Sequence, residues 1–268
     1  MAKAPDPPGF AAFCAALAAD MATKGWHFHR AHDGPFDRFQ VLGERGCGTN
    51  VIRKTVQEAL QIRRTEALGW KHGFPAMIAC PAGFLTLCAV RDPQTWAQSL
   101  YKRPWHADPS VQALGFADFL RAPWISRVDR TGHFEGVAPR LKPLGEELQW
   151  DRHPLTGARF ANIFAMRTLK HRALLALPER GASVVYVSLE AFNAAPQQFL
   201  ADLAAEFALT PSVQGYRPVR RRMGTRFTPA VADRAPAPRV WSQGDLAWMH
   251  SQLDPEMEAI LGFGNQGG

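Results

Sequence analysis

The segment that most limits the fold is the seven-residue run Phe84–Val90, FLTLCAV, in which the one polar side chain is Thr86. A run with this much apolar character and no alternation predicts a strand that is buried on both faces. Such strands are typical of parallel sheets covered by helices on each side. Ser183–Ser188, SVVYVS, has the same character, and residues 39–43 form a shorter β-like run that ends at a glycine.

Helical patterns lie between and beyond these runs. Apolar spacing and start signals predict helices over 10–23, 49–68, 93–102, 159–177 and 195–208, with two short helices over 241–263. Strands that alternate with helices indicate βαβ units and a parallel sheet. We therefore predict an α/β fold in three layers, with a central parallel β-sheet flanked by helices.

The chain of 268 residues shows no internal repeat and no clear linker, so we predict a single domain over 1–268. An insertion at about 103–158 is rich in Trp, Pro, His and Arg. With 46% hydrophobic and 21% charged residues, the composition excludes a largely disordered chain.

The balance of 31 Lys and Arg against 24 Asp and Glu leaves a formal charge of +7, which favours an anionic partner without identifying it. Four cysteines without CxxC spacing indicate free thiols in a reducing compartment. The N-terminus lacks the apolar core of a signal peptide. The most apolar stretch, 77–90, is shorter than the roughly 20 residues of a bilayer span. We expect a cytoplasmic protein with no membrane span.

A glycine-rich turn follows the first parallel strand: Gly43-Glu-Arg-Gly-Cys-Gly48-Thr49-Asn50. Its GxxxxG spacing suits a loop whose N–H groups approach phosphate oxygens at a helix N-terminus. The Walker pattern would continue with Lys and Ser/Thr, whereas Thr49 and Asn50 stand here, which argues against an ATPase, GTPase or kinase. From the residues alone, an anion-binding loop and an ordinary βα turn are both open.

A second turn follows the most strand-like run. Asp92 and Pro93 form a helix start, with Asp as N-cap and Pro at the first helical position. Arg91 therefore lies at the carboxyl end of a parallel strand, where open α/β sheets bind ligands. Ser99 follows two turns along the helix. Taken singly, Arg91 is compatible with a salt bridge and Ser99 with a plain helix residue, but beside the first turn the pair favours an anion site.

These two turns together resemble the sulfotransferases that use 3′-phosphoadenosine 5′-phosphosulfate (PAPS), and GERGCGTN is similar to bacterial members. The strand and helix around Glu190 and the ending LDPEMEAILGF also resemble the family, so the likeness covers roughly 38–263. The resemblance implies a P-loop-like fold with PAPS as co-substrate and no metal. It assigns the 5′-phosphosulfate to Gly46, Cys47, Gly48, Thr49 and Asn50. It assigns the 3′-phosphate to Arg91 and Ser99.

The chain departs from the family at Gly46, where Lys or Arg commonly contacts the leaving phosphate. Arg45 stands one residue early, and Lys54 and Lys71 are the other cations that could take this role. The late basic run with Arg221 and Arg222 is similar to the family segment that closes over the 3′-phosphate, and equally fits a solvated loop.

The segment Trp70-Lys71-His72-Gly-Phe-Pro partly matches the family's Lys-Thr-His-Leu-Pro, whose His is the base. An imidazole with an ordinary pKa near 6.5 is mostly neutral at pH 7 and able to accept a proton. The resemblance thus implies catalytic roles for His72, Arg45 and Lys71. Glu66 is the alternative base.

The function implied is transfer of a sulfuryl group from PAPS to a hydroxyl-bearing small molecule or glycan, such as a carbohydrate or lipid-linked sugar, with release of adenosine 3′,5′-bisphosphate. The insertion would form part of the acceptor site, and no nucleic acid is expected as a partner. A non-catalytic polyanion- or nucleotide-binding protein on a degenerate P-loop fold is the alternative. A phosphotransferase is disfavoured because the Lys-Ser/Thr pair is missing.

Overall fold

The computed structural model of the chain describes residues 9–219 and 226–264, which form an α/β fold around a five-stranded sheet. The strands are β1 (Trp26–His29), β2 (Arg38–Gly43), β3 (Arg63–Arg64), β4 (Phe84–Val90) and β5 (Ser183–Ser188). Their order across the sheet is β1-β5-β4-β2-β3. The predicted strands at β2, β4 and β5 are confirmed.

The sheet is mixed, which corrects the prediction of a parallel sheet. Strands β2 to β5 are parallel, whereas β1 pairs with β5 in the antiparallel direction. The edge strand β1 is four residues long and alternates His27 and His29 with aromatic residues, so it carries little of the apolar signal of a buried strand.

Helices lie on both faces of the sheet. The longer ones are α1 (Phe10–Thr23), α2 (Thr49–Ala59), α3 (Pro93–Lys102), α6 (Ile163–Leu175), α8 (Pro196–Phe207) and α9 (Gln243–Gln252). Shorter ones are α4 (Pro109–Gln112), α5 (Phe116–Arg121), α7 (Leu189–Ala194) and α10 (Pro255–Ile260). Four 3-10 turns span Thr131–His133, Pro139–Leu141, Gln149–Asp151 and Pro178–Arg180. None of the helices in these described ranges combines the length and apolar character that crossing a bilayer requires.

The predicted bounds of α1 and α3 are confirmed, but the helix predicted over 49–68 ends at Ala59. Leu60 turns to an extended conformation. The amide of Gln61 then donates to the carbonyl of Thr210 at 2.8 Å, and the amide of Arg63 donates to that of Asp37 at 3.0 Å. Because these backbone bonds lead the chain into β3, tertiary pairing overrides the helical pattern.

Side chains of each central strand divide between two cores. Leu85, Leu87 and Ala89 face a large cluster with α2, α3, α5, α6 and α8, whereas Cys88 and Val90 face a second cluster with α1, the end of α6 and α10. All seven residues of β4 are buried, as its apolar run predicts. The strand at the centre of the sheet is therefore covered on both sides.

The strand order creates a crevice between β2 and β4. The connection after β2 leads through α2 to β3 on one side, and the connection after β4 leads to β5 on the other. Gly43 at the end of β2 pairs with Ala89 near the end of β4, so the two strand ends lie at the same level. In open α/β sheets, ligands bind outside the carboxyl ends of two such strands.

Candidate functional site

A cleft of about 770 Å³ opens at this crevice. Its walls come from the turns after β2 and β4, helix α3, the segment 66–72 and the insertion that follows α3. The structure brings nine of the residues predicted from the sequence into its lining: Arg45, Gly46, Gly48, Thr49, Asn50, Lys71, His72, Arg91 and Ser99. Arg221 and Arg222 lie outside the described residues.

The N-terminus of α2 forms the floor of the cleft. Gly48 is its N-cap, with φ 81°, and within the described chain no side chain caps this end and no acidic residue lies in its first turn. A Cβ on Gly48 would lie 2.3 Å from Cδ1 of Leu189, so that side chain would have to shift, and the positive φ itself favours glycine. The first N–H groups of α2 therefore lack a side-chain acceptor at the positive end of the helix dipole.

The second turn brings a cation against this loop. The Arg91 guanidinium donates from Nη1 to the carbonyl of Gly46 at 2.9 Å and from Nε to Oγ1 of Thr95 at 3.1 Å. Ser99 lies beside the same glycine, as a Cβ added to Gly46 would be 3.2 Å from the Oγ of Ser99. The arginine and the serine thus lie together at one side of the glycine loop.

Lys71 places an ammonium at the start of α2. Its Nζ donates to Oδ1 of Asn50 at 2.5 Å. Burial, together with the nearby Arg53 charge, lowers the pKa of Lys71 to about 8. Lys54 instead pairs with Glu58 one turn further along α2. Of the two lysines considered from the sequence, Lys71 is the one that lines the cleft.

The imidazole of His72 is held in one tautomer. Its Nδ1 lies 2.7 Å from the carbonyl oxygen of Gly43, which can only accept, so Nδ1 carries the proton and Nε2 the lone pair. Burial, reinforced by the Lys71 charge, holds the pKa of His72 well below its usual value. This histidine is therefore neutral at pH 7 and has one nitrogen able to accept a proton.

The guanidinium of Arg45 is buried and forms an ion pair within the protein. It donates from Nη2 to Oδ2 of Asp151 at 2.6 Å and lies between the rings of Trp70 and Trp124, at 5.5 and 5.2 Å from their centroids. The resemblance implied a role for Arg45 at the leaving phosphate, but in the structure its charge is directed toward Asp151. The backbone of Arg45 also accepts a hydrogen bond from the indole of Trp96 at 3.0 Å.

Asp151 and Lys170, which the sequence analysis did not single out, lie behind the site. Lys170 Nζ donates to Oδ1 of Asp151 at 2.7 Å and to the carbonyl of His72 at 2.8 Å. Burial alone would raise the pKa of Asp151, but the Arg45 and Lys170 charges lower it far below its usual value. These charges connect α6 and the insertion to the segments that carry Arg45 and His72.

Two further residues predicted from the sequence have less direct access to a ligand. The Cys47 side chain is fully buried, which raises the pKa of its thiol to about 12, and its amide donates to the carbonyl of Glu44 at 3.1 Å. Glu66 lines the cleft and pairs with Arg53 at 3.1 Å. Burial raises the pKa of Glu66.

The chain matches no protein-family model, no curated protein and no solved structure. The geometry and charge of the cleft are therefore the basis for a proposed function.

Proposed function

We propose that the protein is a sulfotransferase with a P-loop-like, three-layer fold, which moves a sulfuryl group from PAPS to a hydroxyl acceptor and releases adenosine 3′,5′-bisphosphate. One observation carries the proposal: a single cleft is lined by two groups of residues whose chemistry suits an anion. The first is the uncapped N-terminus of α2 with Lys71 beside Asn50, and the second is the pair Arg91 and Ser99. A nucleotide with phosphates at both its 3′ and 5′ positions requires two such positions.

The first position suits the 5′-phosphosulfate. Backbone N–H groups at a helix N-terminus bind anions without a Walker lysine. Lys71 enters from another segment and supplies the positive charge that Gly46 does not. We therefore assign Lys71, in place of Arg45, to the bridging oxygen of the leaving phosphate.

The chemical step requires a base and a cation. As the acceptor oxygen forms its bond to sulfur, the bond between sulfur and the bridging phosphate oxygen breaks. Nε2 of His72 takes the acceptor's proton, because its Nδ1–H is held by Gly43. The Lys71 ammonium stabilises the negative charge that develops on the bridging oxygen, as cations do in phosphoryl transfer. Lys170 and Asp151 act as positioning residues for His72 and Arg45.

Calorimetric titration tests the nucleotide part of this proposal. Adenosine 3′,5′-bisphosphate should bind more tightly than AMP or ATP–Mg²⁺. The Arg91→Ala variant should lose roughly tenfold or more of the bisphosphate affinity, because a charge-assisted hydrogen bond contributes about 1.5–3 kcal/mol, while AMP affinity stays unchanged. Arg63→Ala, on the exposed strand β3, is the matched control. Tightest binding of ATP–Mg²⁺, or an equal loss for AMP, would contradict the assignment.

Turnover with labelled PAPS and a panel of phenols and sugars tests the chemical part. The His72→Ala variant should keep bisphosphate affinity and lose on the order of 10²- to 10⁴-fold in turnover. His250→Ala, on the exposed side of α9, controls for the loss of a histidine. Normal turnover of His72→Ala would transfer the role of base to Glu66.

One observation favours the alternative of a non-catalytic polyanion-binding protein. This chain has Gly46 where the family commonly has a cation, and the charge of the neighbouring Arg45 is paired with Asp151. Such a protein would bind heparin or nucleic acid with an affinity that falls steeply with salt, and would not prefer the 3′-phosphate. The same titration, repeated at two salt concentrations, separates the two functions.

A further inference from the structure

Three side chains of types that bind metal ions lie close together in the insertion after α3. His106, Asp129 and His133 each offer one ligand atom, and these three atoms lie within 4.8 Å of one another. Asp129 and His133 are four residues apart, and His133 ends the 3-10 turn Thr131–His133. His106 comes from the loop after α3. The two histidines line the cleft, so the group faces the ligand space.

The His106 ring is held toward this point. It is 4% exposed, and its Nδ1 lies 2.5 Å from Oδ1 of Asp129. Its ring packs 4.7 Å from Phe134 and 5.9 Å from Trp70, centroid to centroid. The backbone of His106 has φ 67°, a conformation that a residue with a side chain rarely adopts. Such conformations persist where the surroundings enforce them, and they cluster at functional sites.

The second histidine of the group lies beside the first. The rings of the two histidines lie 5.5 Å apart.

We propose that His106, Asp129 and His133 bind a divalent transition-metal ion, with zinc as the first candidate, where the insertion after α3 forms part of the cleft wall. Two imidazoles and one carboxylate are a donor set that Zn²⁺ and related ions accept, and three protein ligands leave a coordination position open. Donor atoms about 2.0–2.1 Å from a tetrahedral ion lie about 3.4 Å apart. The most distant pair, which lies within 4.8 Å here, must therefore approach by up to about 1.4 Å when the ion binds. The site does not depend on sulfuryl transfer.

Metal titration of the full chain tests the site. After treatment with a chelator and its removal, Zn²⁺ should bind at one equivalent per chain in calorimetry. Co²⁺ bound there should show the visible absorption of a low-coordinate nitrogen and oxygen site. Asp129→Ala and His133→Ala should each weaken Zn²⁺ binding at least tenfold. His250→Ala, which removes an exposed histidine elsewhere, should bind as the unaltered chain does.

A folding control keeps the result interpretable. Zn²⁺ should raise the melting temperature of the unaltered chain by mass action, and should not raise that of the double variant Asp129→Ala/His133→Ala. No Zn²⁺ binding by the unaltered chain, or binding that both single variants retain, would overturn the site.

Bisphosphate titration of the same chelator-treated protein separates this inference from the proposed function. Nucleotide binding without Zn²⁺ binding would overturn the metal site alone. Zn²⁺ binding without bisphosphate binding would support the metal site and overturn only the nucleotide assignment.

Discussion

The two turns that meet at the cleft occupy equivalent places in the sheet and end in opposite ways. After β2, the helix begins at Gly48, and its first N–H groups face the cleft without a side-chain acceptor among the described residues. After β4, Oδ1 of Asp92 accepts a hydrogen bond from the amide of Thr95 at 2.8 Å, which closes the start of α3. A capped helix start has fewer free N–H groups for an anion. The groups that this second turn presents are therefore the side chains of Arg91 and Ser99.

The two turns also differ in what holds them. The second has a side-chain cap from Asp92 and a proline at its first helical position, and the carbonyl of Arg91 also accepts a hydrogen bond from the buried Arg167 at 2.9 Å. The first has no side-chain cap among the described residues, and Asp151, which bonds both Arg45 and Lys170, supports it from a distant segment. Both turns therefore contact buried charges from distant segments, and the side-chain cap is what distinguishes the second.

The largest expected effect comes from removing the support of the first turn. Asp151→Ala leaves the buried Arg45 without its carboxylate partner and leaves Lys170 with Glu44 alone, at 3.7 Å, and breaking a buried pair in this way costs about 3–5 kcal/mol. Denaturant unfolding should show this loss in the free energy of unfolding. Asp233→Ala, at an exposed position, should change it little. A loss below about 1 kcal/mol for Asp151→Ala would mean that the first turn does not depend on this network.

Closing the first turn itself should have the next largest effect. Gly48→Ala strains the backbone at a φ of 81° and introduces a methyl group against Leu189. We expect relief of this strain to move the N–H groups of α2. Loss of one hydrogen bond to a charged phosphate predicts a fall in bisphosphate affinity on the order of 10- to 100-fold. Gly181→Ala, at a φ of 70° with open space around its Cβ, carries similar backbone strain away from the cleft. Equal affinities for the two variants would refute the role of the α2 N-terminus.

A pH titration sharpens the comparison at Lys71. The pKa of this ammonium is about 8, so it is charged below pH 8 and neutral above it. Bisphosphate affinity should therefore be highest between about pH 6, where the phosphates lose their second proton, and pH 8, and then fall by up to about tenfold per pH unit as the ammonium charge is lost. Lys71→Arg keeps its charge over this range and should abolish the fall. If the bisphosphate affinity of Lys71→Arg fell with pH in parallel with that of the unaltered chain, the titrating group would be one other than Lys71.

The smallest effect is expected at the second turn. Asp92→Ala removes the cap of α3 and should cost about 1 kcal/mol of unfolding free energy, with bisphosphate affinity nearly unchanged. Asn caps helices as well as Asp does, so Asp92→Asn should retain most of the stability. If Asp92→Ala lost as much bisphosphate affinity as Gly48→Ala, the start of α3 would contribute to bisphosphate binding as the start of α2 does.

Local signals determined much of the fold. The apolar run of β4 and the Asp92-Pro93 start of α3 predict a strand and a helix whose bounds the structure confirms, because each signal lies within a few consecutive residues. The glycine spacing after β2 and the position of Arg91 place two candidate anion sites at strand ends. Parallel strands bring those ends to the same sheet edge, and the cleft contains both turns.

The tertiary structure decided what no local pattern carries. The end of α2 at Ala59 and the antiparallel edge strand β1 follow from backbone pairing with distant segments. The Arg45–Asp151 pair joins positions 106 residues apart, and the Lys71–Asn50 contact joins positions 21 apart. Sequence alone therefore determined which residue types are present at the turns. Packing decided which cation faces the cleft, because a charge is directed by the partner that lies next to it in space.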